Sequence, residues 1–294
     1  MGCRAAHFAN EENDILPEIT CPAVVAALRE HRKDRDTLLA SLTASLQNDP
    51  RVRAAWLWGS FGRGEADDLS DLDPWIIVAD EFVGEMGAGL KCFAEQTGNY
   101  ITGGEAPRNG PPGGGFFSSL HAGRHGLLHL DCYWQPQSAV NAIPERAVLF
   151  DRLSEPMTPP PVTSLPEKTP VLTEEQERIE DGIGFAWLMF SIAAKTLARY
   201  PDSDMSLMMY PRPGLEEAAL LLGMEDHLPP ADWVVPQSPL EKLEMLRRLA
   251  GKTARLTEIA NTRGLNHSPL NALCLSRYLG MVQGILECVR EGSC

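Results

Sequence analysis

The stretch from Val52 to Asp80, VRAAWLWGSFGRGEADDLSDLDPWIIVAD, constrains the fold of this chain more than any other. An apolar run, Ala54-Ala55-Trp56-Leu57-Trp58, meets Gly59-Ser60 and a loop of small residues; Asp71 and Asp73 then lead into a second apolar run, Trp75 to Ala79. The expected order is strand, turn, strand. Residues two apart on a strand share a face, so Asp71 and Asp73 project side by side. Two carboxylates that close repel each other unless a cation lies between them. Hard oxygen ligands beside a phosphate-binding loop suit Mg²⁺, which takes one or two protein carboxylates and completes its shell with water and substrate phosphates. The loop fits: Gly59, Gly62 and Gly64 permit positive φ and close backbone approach to an anion, while the Ser60 hydroxyl and the Arg63 guanidinium can donate to phosphate oxygens. For a lone D-x-D pair, a hairpin whose aspartates cap the next element would be the better reading.

The assembled run is more specific than its parts. Gly59-Ser60-Phe61-Gly62-Arg63-Gly64 followed by Ser70-Asp71-Leu72-Asp73 resembles the signature of the nucleotidyltransferase superfamily with the DNA polymerase β-like palm. That resemblance implies an α+β fold: an N-terminal polymerase β-like palm, a mixed sheet with helices on one face, followed by a C-terminal helical bundle. It implies transfer of NMP, most often AMP, from ATP or another NTP to a hydroxyl, with two Mg²⁺ ions as cofactors. Asp71 and Asp73 would be metal ligands, and a third carboxylate would come from a later strand adjoining theirs. Ser60 and the backbone near Gly59 would hold the β- and γ-phosphates, with Arg63 as a helper.

The candidate for the third carboxylate is Asp131. From Leu127 to Trp134, Leu128, Leu130, Cys132 and Trp134 alternate with His129, Asp131 and Tyr133, giving one apolar and one polar face. Aspartate is depleted in strands and seldom buried alone, so its place in mid-strand calls for a partner. Metal ligand and general base both remain open as its role. Phe116 to Leu120 forms the other arm of that hairpin. The glycine- and proline-rich segment 98–115 reads as a loop.

Before the signature, Val25, Leu28, Leu38, Leu39, Leu42 and Leu46 give Pro22 to Asn48 a helical apolar face. After it, Glu81 to Gln96 is helical and residues 147–152 close the sheet. This makes residues 1–153 the nucleotidyltransferase domain. Prolines crowd residues 154–172, the expected linker, and residues 173–294 read as the bundle domain. Thr173 with Gln176 starts its first helix in a capping box, and Ile179, Ile183, Trp187, Phe190 and Leu197 supply its stripe. Further helices are expected at 215–222, 239–260 and 269–290, the last with a stripe through Leu273, Tyr278, Met281, Ile285 and Val289. In the resembling family a basic residue of this domain often reaches the triphosphate; Lys195 and Arg199, four apart on one helix face, are the candidates, against the alternative of a solvated helix end.

The formal net charge of −14 argues against nucleic acid as the partner, since such binding needs clustered cations. It would suit a cationic small molecule. Seven cysteines without C-x-x-C spacing read as reduced thiols, and no segment reads as a signal peptide or membrane span, so the expectation is a cytoplasmic protein that engages no membrane. An acidic chain with one palm and one bundle most resembles the aminoglycoside and lincosamide adenylyltransferases. The implied partners are an NTP and a small-molecule hydroxyl acceptor, and the implied role is antibiotic resistance. Competing readings are a protein AMPylating enzyme of the toxin or antitoxin type and a catalytically silent nucleotide-binding module. Monomer and homodimer are both open. Pro74, where relatives carry an aliphatic residue, departs from the pattern and requires the strand to begin there or lie at an edge.

Overall fold

The computed structural model describes residues 16–140, 145–156, 172–290 and 292. Most of the proline-rich linker and the first residues of the chain therefore lie outside the described residues. The fold is α+β: six strands in one mixed sheet, with helices packed on it and a run of C-terminal helices.

Helix α1 spans Pro22–Asn48 and opens on a proline, whose missing N–H costs nothing in the first turn. Strand β1 (Val52–Leu57) follows, then a single helical turn α2 (Gly59–Arg63) where the sequence suggests only a turn. Strand β2 is Pro74–Val78 and helix α3 is Val83–Gln96. Proline thus starts its strand, as its missing donor requires, although that strand is central rather than at an edge. Strand β3 (Tyr100–Glu105) corrects the expectation of a loop over 98–115: Tyr100, Ile101 and Thr102 are strand formers, and β3 needs only one neighbour because it lies at the sheet edge. Strands β4 (Gly115–Ala122) and β5 (Leu127–Pro136) form the expected hairpin, and β6 (Ala147–Asp151) pairs with β1 at the other edge.

The strand order is β3-β4-β5-β2-β1-β6, antiparallel except for the pairing of β2 with β5. One sheet face is dry. There Ile76, Val78, Leu130 and Cys132 pack with Leu38, Leu42 and Leu46 of α1 and with Met86, Leu90 and Ala94 of α3. The opposite face carries the odd-numbered residues of β2 and β5, Asp131 among them.

The C-terminal helices are α4 (Glu174–Arg199), α5 (Arg212–Leu221), α6 (Pro239–Thr262) and α7 (Leu270–Arg290). The capping box of α4 is present on both sides, the Gln176 amide donating to the Thr173 hydroxyl and the Thr173 amide to the Gln176 side chain. Trp187 and Phe190 of α4 are fully buried at its centre. The helices do not keep this core to themselves: Val24, Leu28, Leu69, Ile101, Leu120 and Leu127 of the N-terminal half join it. Leu273, placed on the stripe of α7 by spacing, is 47% exposed instead, because Cys274 and Leu275 take the inward positions. Contrary to the sequence expectation, α7 is long and apolar enough by length and composition to cross a membrane; half of the qualifying window is buried within the protein, as in a core helix.

His121 lies on the dry side of β4, buried, with Nε2 3.1 Å from the Ser119 hydroxyl and its ring edge-on to Tyr100. Burial, and secondarily the charge of His129, push it down to about 4. The folded state then keeps His121 neutral while the unfolded chain protonates near 6.5, so this residue makes stability fall as pH drops from about 6.5 towards 4. Chemical-denaturation curves of His121→Gln should show a shallower decline over that window than the parent; an unchanged slope would contradict the assignment.

Candidate active site

Leu72 is the pivot of the site. It bridges to Leu130 in parallel register, its amide donating to the His129 carbonyl at 3.0 Å and its carbonyl accepting from the Asp131 amide at 2.9 Å. Both leucines are fully buried on the dry side. Alternation therefore puts Asp71 and Asp73, on either side of Leu72, on the same open face as His129 and Asp131, on either side of Leu130. Ser118 of β4 pairs directly with Asp131 and completes the row. Two neighbouring aspartates and a third nearly sixty residues further on thus meet because two apolar residues, Leu72 and Leu130, insist on the core.

The loop that carries Asp71 is held from two helices. Arg35 of α1, buried itself, donates from Nη1 to the carbonyls of Asp67 and Ser70 at 2.6 and 3.3 Å. Arg199 of α4 grips the Asp67 carboxylate with Nε and Nη2 at 3.0 and 2.7 Å. Within the loop, Asp67 accepts from the Leu69 amide at 2.9 Å and from the Ser70 hydroxyl at 3.1 Å, a local turn that Ser and Asp form readily.

Gly59 fits against the cluster from β1. The Trp58 amide donates to the Asp73 carbonyl at 3.1 Å, and Gly59 adopts a φ of +63°. A Cβ at this position would stand 2.7 Å from Oδ2 of Asp73. Both conformation and space demand glycine. Gly59→Ala should cost roughly 1–3 kcal/mol from backbone strain alone, seen as a lowered Tm, and should displace the Asp73 side chain; a variant as stable as the parent would refute the close approach.

The electrostatics follow from crowding. Asp73 is pushed up to about 8, first by burial and then by the charges of Asp131 and Asp71. Burial alone would also raise Asp71, but Lys195, bonded to its Oδ2, and His129 outweigh this and hold it below the usual carboxylate range. His129 is buried, which alone would lower it, yet the carboxylates of Asp131 and Asp71 raise it to about 9. Its Nε2 lies 2.8 Å from the Ser118 hydroxyl and 3.0 Å from Oδ1 of Asp131, and its Nδ1 lies 3.7 Å from Asp71. The Ser118 contact is the hydrogen bond. Oδ1 of Asp131 is within ion-pair distance but off the N–H axis, and so is a buried acceptor without a hydrogen bond.

The structure therefore brings Asp71, Asp73, Asp131, Gly59 and Lys195 together. Ser60 follows Gly59 in α2, half-buried at the rim. Arg63 is engaged by Glu65, its Nε donating at 2.6 Å. Lys195 is not on a solvated helix end: its side chain and that of Asp71 are only 15% and 19% exposed. Arg199, the second candidate, is committed to Asp67. His129, which the sequence places beside Asp131 on the polar face of its strand, is a member of the charged cluster.

Among the described residues no group of three or more His, Cys, Asp and Glu side chains forms a ready-made metal cage. The donor set nonetheless fits a hard divalent cation bound partly through substrate. Three carboxylates share one face, one of them forced towards its neutral form by burial and by the other two, and a buried oxygen lacks a well-aligned donor.

No family model matches this chain, and no curated protein matches it. Among solved structures it is similar to the Elizabethkingia meningoseptica CdnE cyclic dinucleotide synthase, determined with GTP and Apcpp, at 9% sequence identity. That alignment covers 92% of this chain and 99% of the other, with a TM-score of 0.22, a likeness too distant to assign either fold or activity.

Proposed function

We propose that this protein is a nucleotidyltransferase that moves NMP from an NTP, with AMP the first choice, to a hydroxyl of a small molecule, of which a cationic aminoglycoside or a lincosamide is the leading class. The observation that carries the reading is the convergence of Asp71, Asp73 and Asp131 on one sheet face beside the Gly59-Ser60 turn, across the parallel pair β2 and β5.

Asp71, Asp73 and Asp131 would hold Mg²⁺, which when bound supplies charge neutralisation for the triphosphate and the leaving pyrophosphate. In this reading the acceptor oxygen attacks the α-phosphorus, the bond to the β-phosphate oxygen breaks, and pyrophosphate departs. The acceptor proton would pass to Asp131, the carboxylate that β5 contributes to the row. Ser60 and the amides at the start of α2 hold the outer phosphates, and Lys195 lies across the row, where an ammonium can meet the same anion. The acidic surface favours a cationic acceptor over a nucleic acid.

The test is Mg²⁺-dependent pyrophosphate release from ATP or GTP with a panel of aminoglycosides and lincosamides. Release with a small acceptor, abolished by Asp71→Asn, supports the reading. Labelling of a protein with no small-molecule turnover would replace the acceptor class, and no release from any NTP would overturn the activity.

A further inference from the structure

Lys195 occupies the carboxylate of Asp71, one of those that would hold a metal ion. The ammonium is bonded to Oδ2 of Asp71, the carboxylate that also lies 3.7 Å from His129, and the pair is largely shielded from water. A divalent cation ligated by Asp71 would bring two positive charges against a third within a few ångströms, at an unscreened site where repulsion of like charges is strong. The two compete for one carboxylate, and each weakens the hold of the other.

We propose that Lys195 is a resident counter-ion, holding Asp71 while the site has no metal and swinging off it onto the triphosphate when metal and nucleotide arrive. The proposal rests on the nucleotidyl-transfer reading, and assigns to one side chain two successive partners. The exchange is a side-chain motion rather than a movement of the bundle. Four residues on, Arg199 clamps Asp67 through two hydrogen bonds, with both side chains under 10% exposed. The backbone of α4 is thereby pinned one turn from Lys195, while the long flexible stem of lysine leaves its charge free to move. Lys195 is accordingly a positioning residue towards the metal site and a ligand-binding residue towards the phosphates.

The consequence is a pair of opposite effects from one substitution. In the full-length protein, binding of Mn²⁺ alone, read from the loss of the free-ion EPR signal, should tighten about tenfold in Lys195→Met, because no ion pair has to be broken. Affinity for a non-hydrolysable NTP with Mn²⁺ should weaken by a similar factor, about tenfold, while Lys195→Arg, which keeps the charge, should return both values towards the parent. Lysine acylation read by mass spectrometry on the unaltered protein is independent of how any variant folds: Mg²⁺ alone should increase labelling of Lys195, and Mg²⁺ with nucleotide should suppress it. Equal Mn²⁺ affinity in parent and Lys195→Met, or Lys195 labelling indifferent to Mg²⁺, would overturn the exchange while leaving the activity assignment standing. No Mn²⁺ binding to either protein would overturn both.

Discussion

Asp73→Asn should abolish nucleotidyl transfer and, at the same time, make the metal-free protein more stable. The two outcomes share a cause. Burial, and then the charges of Asp131 and Asp71, push Asp73 up to about 8, so folding at neutral pH forces it towards the protonated form. An amide has the shape of that neutral acid and carries no charge. The folded carboxyl holds its proton to about pH 8 while the unfolded one releases it near 3.8, so the parent loses stability, relative to the variant, as pH rises between those values. The difference in Tm should therefore be negligible below about pH 4 and greatest above about pH 8; at pH 7 several degrees are expected, at about 2–4 °C per kcal/mol for a chain of this size. Mg²⁺ should raise the Tm of the parent more than that of the variant. Turnover should fall by about 10³-fold or more, equivalent to ~4 kcal/mol of transition-state stabilisation. Asp71→Asn is the discriminating control, since it too should lose turnover but should lower the Tm: Asp71 is held ionised by Lys195, and neutralising it leaves an ammonium largely shielded and unpaired. Equal shifts of Tm in the two variants would contradict this division of roles.

That asymmetry between adjacent aspartates shows where sequence reasoning reaches its limit. Alternation alone put Asp71 and Asp73 on one face, and placed Asp131 with His129 on the polar face of its strand, because the leucines between them can only go inward. Pro74 announced the start of β2 by what it lacks. What spacing could not supply was pairing. Nothing local says that β2 lies parallel to β5 in the register Trp75 to Tyr133, and it is this register that sets Asp131 beside Asp73. Nor does a helix face indicate which of two cations meets a carboxylate more than a hundred residues earlier. Lys195 and Arg199 look alike on the wheel of α4; one enters the carboxylate row and the other is taken by Asp67, a residue whose loop reads in sequence as a simple turn. The edge strand β3 was hidden by Gly103 and Gly104, which lower strand propensity but allow the backbone to pass close to β4: a Cβ on Gly103 would lie 2.6 Å from the Ser118 carbonyl.

Arg199→Met should be the most destabilising single change near the site, by about 3–5 kcal/mol, the usual result of removing one partner from a buried ion pair. Desolvation sets the cost. Arg199 and Asp67 are 9% and 8% exposed, and two hydrogen bonds join them, with a third contact from Arg199 Nη2 to the Ser70 hydroxyl at 3.3 Å. Methionine fills much the same volume but leaves the Asp67 carboxylate buried with only amide and hydroxyl donors. A fall in Tm of about 10 °C is expected. Asp67→Asn alone should also destabilise, because it leaves a guanidinium without its carboxylate. The double variant should recover part of the loss, giving a coupling of about 1–3 kcal/mol in the cycle; strict additivity would mean the pair contributes nothing. Turnover provides the second readout. The clamp fixes the loop 67–70 that leads into Asp71 and the turn of α4 that carries Lys195, so loosening it should lower kcat by about 10-fold, well short of the effect at Asp73, since misplacement of catalytic groups costs less than their removal. The effect should appear at temperatures where the variant is still folded. A variant with lowered Tm and parental kcat would show that the clamp holds the helices to the sheet without positioning the site.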